Sequence, residues 1–145
     1  MSPAVRKVQQ LSTLVDLRER EVDRLSADVA SQQALRERYQ RNLERMDRLC
    51  ADTAALPTAS PLQALNNGAY RIALMGVAEQ HRQQLALHDA DMAASRQALH
   101  DASRRHEVLS QVLQRQHSAL QRAEAGRDQK RQDDLAAQVW IRGQA

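Results

Sequence analysis

Apolar residues recur every seven positions along the first third of the chain. One set collects Val8, Val15, Val22, Val29, Leu43 and Cys50, interrupted at Arg36; a second, three residues on, collects Leu11, Leu25, Tyr39 and Met46, interrupted at Arg18 and Gln32. Alternating steps of three and four keep both sets on one helix face, and valine on one rail with larger groups on the other suits a two-helix seam. The pattern predicts one helix over about residues 4–54, near 75 Å long at about 1.5 Å per residue. The polar interruptions either fix register or mark places where a partner replaces a contact within the chain.

Strong punctuation follows in ALPTASPLQ, a turn over residues 55–60. Pro57 ends the first helix, while Ser60, Pro61 and Gln63 fit an N-cap, a first-turn proline and the reciprocal glutamine of a capping box. A second helix over about 61–139 carries a second seam: Leu74, Ala78, His81, Leu85, His88, Met92, Ser95, Leu99, Ala102, His106, Leu109, Leu113, Gln116, Leu120 and Ala123. Asn66-Asn67-Gly68 is a candidate break, because glycine costs a helix about 1 kcal/mol against alanine. So short a connector makes an antiparallel arrangement economical. The expected fold is all-α: one coiled-coil domain over 1–145, a long antiparallel two-helix hairpin whose second helix overhangs. A turn centred near residues 57–58 puts Tyr39 opposite Gly76 and Leu11 near Arg104. The overhang then starts near residue 112, leaving Leu113, Leu120 and Ala123 without a partner in the chain and implying one outside it.

Composition agrees. Aromatic residues make up 2% of the 145, with no Phe, whereas a globular core of this size is normally built around aromatics that bury about 150–250 Å² each. Ala, Leu, Glu, Lys and Arg supply about half the chain, as in long helices. Sandwiches, barrels and α/β enzymes are thereby disfavoured. The formal charge is +3, but the signs are interspersed with no run of five alike, so no nucleic-acid partner is expected. A single cysteine, Cys50, makes no internal disulfide and points to a reducing compartment. The start MSPAVRKVQQ lacks the apolar stretch of a signal peptide, and no apolar run approaches the length of a membrane span, so a cytosolic protein without membrane insertion is expected.

Catalytic chemistry finds no support in the sequence. The histidines at 81, 88, 100, 106 and 117 lack the convergence of a metal site. Cys50 has no neighbouring base, and Gly68 and Gly76 belong to no phosphate loop. No catalytic, cofactor-binding or metal residue is assigned. Two constellations suit binding instead. Tyr70, Leu74, Val77 and His81 step by four, three and four, and Gln32, Leu35 and Tyr39 by three and four, at the turn-proximal end; Tyr and His there suit a surface that is dry when bound and wet when free. The stretch EAGRDQKRQDDLAAQ, residues 124–138, bears charge on all faces.

At Arg38-Tyr39-Gln40-Arg41-Asn42-Leu43, His81-Arg82-Gln83-Gln84-Leu85, Ala123-Glu124, Asp128-Gln129-Lys130 and Asp133-Asp134, and in the placement of the turn, the chain resembles the FliJ family, the small coiled-coil component of the bacterial flagellar type III export apparatus. The resemblance implies a coiled coil similar to the central stalk of rotary ATP synthases. It further implies insertion of the helix termini into the export ATPase hexamer, contact with the cytoplasmic domain of the export-gate membrane protein, and escort of export chaperones. Location would be cytoplasmic, at the inner face of the cell membrane. Gate contact carries over onto Gln32, Leu35, Tyr39, Tyr70, Leu74, Val77 and His81. ATPase contact carries over onto Asp128, Gln129, Lys130 and Asp134, to which the expected overhang adds Leu113 and Leu120. Gly126, Arg127 and Leu35 depart from the family's usual basic, apolar and aromatic residues. The stalk of a virulence type III injectisome and a generic structural coiled coil are the alternatives.

Overall fold

The computed structural model describes residues 3–143. It contains two helices, α1 (Pro3–Ala55) and α2 (Pro61–Gly143), which pack against each other as an all-α hairpin. No strand occurs among the described residues.

The turn between them is built as its sequence dictates. Pro57 lacks the N–H that continuing α1 would need. Ser60 then opens α2: its Oγ accepts from the Gln63 amide at 3.2 Å, its carbonyl accepts from the Ala64 amide at 3.1 Å, and Gln63 Oε1 reaches back to accept from the Ala59 amide at 3.0 Å. One orphan donor of the helix start, the Gln63 amide, is thereby satisfied together with the Ala59 amide just before the cap, while the Ala64–Ser60 bond is the first of the regular helix. The break expected at Asn66-Asn67-Gly68 does not occur, and no glycine has a positive φ. A single glycine's propensity cost is small against the cooperative propagation of an 83-residue helix on both sides of it.

Packing divides the chain into two compact units, one of Asp23–His100 and one pairing the start of α1, to Val22, with α2 from Asp101 onward. In the first, Leu43, Ala78 and Met92 are buried, and Met92 is 2% exposed. Burial of such a side chain stabilises by roughly 1.5–3 kcal/mol. Around them Leu25, Val29, Met46, Leu74, Leu85 and Leu99 are half-buried. Counted from the turn, the packed seam begins only at Thr53 on α1 and Asn67 on α2, since residues 54–66 are exposed. The pairing is therefore centred near the cap residue Ser60, not near Pro57. Tyr39 consequently faces His81 and His88, more than a turn beyond Gly76, which is exposed and has nothing within 4 Å of where a Cβ would stand.

In the second unit Val15 and Ala102 are buried, with Val8, Leu11, His106, Leu109, Leu113 and Leu120 half-buried. Arg104 lies in a groove with Arg18, not with Leu11. Val8 shares one groove with Leu113 and another with Leu120. These two leucines, expected to lack an intrachain partner, thus lie against α1. Residues 121–143 are exposed throughout, yet Ala123, Glu124 and Arg127 still line a groove with Ala4 and Val8 of α1, so the overhang starts well beyond residue 112 and Ala123, expected to lack an intrachain neighbour, also has one.

Candidate partner-binding surfaces

In the unit of Asp23–His100, the positions that interrupt the apolar seam of α1 meet polar groups of α2. Arg36 Nε donates to Asp89 Oδ1 at 2.6 Å and its Nη2 to Oδ2 at 3.4 Å, a forked pair across the helices. The hydrogen bond to Arg36 holds the Asp89 carboxyl below its ordinary range, and the same bond raises the Arg36 guanidinium. His88 Nε2 donates to the Gln32 carbonyl at 2.8 Å. The Tyr39 ring stands edge-on to His88, 5.8 Å away at 74°, and tilted to His81, 6.4 Å away at 54°. Outside this cluster Arg82 pairs with Asp47 at 2.8 Å and Arg96 donates to Gln33 at 3.0 Å.

The seven residues assigned to gate contact all fall in this unit but divide in two. Gln32, Tyr39, Leu74 and His81 are half-buried in the helix–helix seam, and Gln32 Oε1 and His81 Nδ1 are buried without a hydrogen-bond partner among the described residues. Leu35, Tyr70 and Val77 are exposed, the latter two at 49% and 43%. The second group is thus accessible with the hairpin closed, whereas the first is partly taken up by the seam. The sequence reading missed the Arg36–Asp89 pair. An arginine on an apolar rail calls for a carboxylate on the facing helix, but choosing Asp89 needs the register.

On the uncovered part of α2, Asp128 makes an exposed pair with Arg131 at 3.7 Å. Gln129, Lys130 and Asp134 are exposed and make no ion pair or side-chain hydrogen bond with another described residue. Beyond them Leu135, Val139, Trp140 and Ile141 are large, apolar and exposed. Sequence reasoning passed over these four: Leu135, Val139 and Trp140 lie off the seam, and Ile141, though at seven-residue steps from Leu113 and Leu120, is separated from them by Arg127 and Asp134. Among the described residues, no group of three or more His, Cys, Asp or Glu could hold a metal ion, and no helix is long and apolar enough to cross a membrane.

A two-helix hairpin with a thin apolar seam and a second helix that leaves charged and apolar side chains exposed at its end has the form of a coiled-coil protein. The family model described as "Flagellar FliJ protein" matches residues 7–145, and the chain belongs to the FliJ family. It is thus an export-related structural protein of the flagellum and not an enzyme. No curated protein and no solved structure matches it.

Proposed function

We propose that this chain is a coiled-coil stalk of the flagellar type III export apparatus that engages both the export ATPase hexamer and the cytoplasmic domain of the export-gate membrane protein, and escorts export chaperones. It would act in the cytoplasm, at the inner face of the cell membrane. The observation that carries the reading is the exposed end of α2, which shares no groove with α1 beyond Arg127 among the described residues, in a chain matched to the family almost throughout. A helix held without tertiary cover exposes side chains that folding has not used, and ordering it alone costs roughly 1–2 kcal/mol per residue of backbone entropy. Asp128, Gln129, Lys130 and Asp134 on that segment would supply the ATPase contacts. Leu113 and Leu120, packed against α1, would support that segment from its base. Leu35, Tyr70 and Val77 would grip the gate protein, with Gln32, Tyr39, Leu74 and His81 shaping the surface.

The test is co-purification of the full chain with the export ATPase and, separately, with the gate's cytoplasmic domain. Capture of both at stoichiometric amounts is the expected result. Capture of neither by a folded, helical protein would overturn the reading.

A further inference from the structure

On one side of the hairpin, in the unit formed by the two chain-terminal portions, a groove of about 340 Å³ opens between the helices, lined by Arg18, Arg104, Arg105, Val108 and Leu109. None of these residues belongs to the surfaces assigned above. Its apolar lining comes from α2: Leu109 is half-buried and Val108 is 59% exposed. Its rim is basic. Arg18 is already committed to Glu21 at 2.7 Å. Arg104 and Arg105, in contrast, make no ion pair or hydrogen bond with another described residue, and neither does Arg115. Steps of three, four and three join Arg105, Val108, Val112 and Arg115, which places them in one row of α2, with valines between arginines. Asp101, four residues before Arg105 on that row, already has an interaction within the chain.

We propose that this groove is a docking site for an acidic amphipathic helix of a protein partner. An apolar row on α2, Val108, Leu109 and the half-buried Val112, flanked by arginines and running beside α1, forms a seat that a third helix fills with residues at steps of three, four and seven. Committed acids and uncommitted arginines select a helix whose flanks carry Glu or Asp. A basic helix would leave Arg104 and Arg105 facing like charge, which costs an interface heavily. The arginine stems themselves contribute apolar wall while their guanidinium groups stay in water until paired. The site stands whichever component of the export apparatus supplies the helix.

The test uses the full chain and a fluorescent synthetic peptide with a leucine stripe flanked by glutamates, beside its twin with lysines for the glutamates. Anisotropy titration should show saturable binding of the glutamate peptide, weakening as ionic strength rises, and binding of the lysine twin at least about tenfold weaker. Replacing both arginines, Arg104→Glu with Arg105→Glu, should weaken the glutamate peptide about tenfold or more and improve the lysine twin. Val108→Ser should weaken the glutamate peptide several-fold. Far-UV circular dichroism checks the fold, and Arg104→Gln with Arg105→Gln serves if the charge reversal perturbs it. Equal affinity for the two peptides, or unchanged affinity after loss of both arginines, would overturn the proposal. So would insensitivity to Val108→Ser, which would make the attraction purely ionic. Displacement of the peptide by duplex DNA with the same arginine dependence would overturn it too, marking the groove as a phosphate-reading surface.

Discussion

His88 of α2 donates to the main-chain carbonyl of Gln32 on α1, 2.8 Å away, so the two helices are tied through backbone at that level and not through the glutamine side chain. The Gln32 side-chain oxygen, by contrast, is buried without a hydrogen-bond partner among the described residues. Removing the donor and removing the glutamine should therefore have opposite consequences. His88→Leu should destabilise the hairpin by about 0.5–1.5 kcal/mol, the usual net worth of one hydrogen bond. Gln32→Leu leaves the His88 bond intact and removes an unsatisfied buried acceptor, so it should be neutral or stabilising by up to about 1 kcal/mol. Urea unfolding of both variants followed by circular dichroism measures the difference.

The Arg36–Asp89 pair makes stability depend on acid. Asp89 titrates below its ordinary value in the folded chain because Arg36 hydrogen-bonds the carboxylate. Its stabilising contribution is present above the unfolded carboxyl's pKa, near 3.9, and is lost as pH falls toward and through the folded value. Asp89→Asn should lower stability at neutral pH and flatten the decline between pH 5 and 2, roughly the window in which such a carboxylate titrates. Unfolding midpoints measured across that range for both proteins decide it; parallel declines would show that Asp89 does not contribute.

The seam and the cap give separable stability tests. Met92 at 2% exposure and Ala78 at 1% leave no room for change: Met92→Ala should cost about 2–5 kcal/mol, and Ala78→Leu about 1–3 kcal/mol through overpacking. Ser60→Ala removes the acceptor for the Gln63 amide and should cost about 0.5–2 kcal/mol. Denaturant midpoints at unchanged slope check all three.

Binding can be separated from folding by using exposed members of the turn-proximal surface. Tyr70→Ala or Val77→Ser should change stability by no more than about 0.5 kcal/mol yet weaken gate binding by roughly 1–2 kcal/mol, about tenfold. Tyr39→Ala and Leu74→Ala cannot make that distinction cleanly, because both side chains are half-buried in the seam. Affinity of the folded protein, read beside its unfolding midpoint, is the measurement.

The seven-residue pattern located Val15, Leu43, Ala78, Met92 and Ala102, the five buried apolar residues among those described, because a helix seam is written in spacing alone. The cap at Ser60 was legible for the same local reason. Register was not. It depends on how many residues next to the turn stay out of the seam, and a symmetric count from Pro57 misplaced Tyr39 opposite Gly76 and uncovered Leu113 and Leu120 too early. Side-chain partnership across the helices follows register, so Arg36 could be read as anomalous but not matched to Asp89. Exposed apolar residues without periodicity, such as Trp140, leave no pattern to find, and the groove beside Arg104 requires both helices in place.

The central claim is that the uncovered segment of α2 engages the export ATPase independently of the turn-proximal surface. The most direct measurement compares the full chain with a full-length variant carrying Asp128→Lys, Lys130→Glu and Asp134→Lys, scoring stimulation of export-ATPase turnover beside affinity for the gate's cytoplasmic domain. The three side chains are exposed, so helicity should be preserved. The account predicts stimulation reduced about tenfold or more with gate affinity unchanged. Undiminished stimulation by the variant would contradict it.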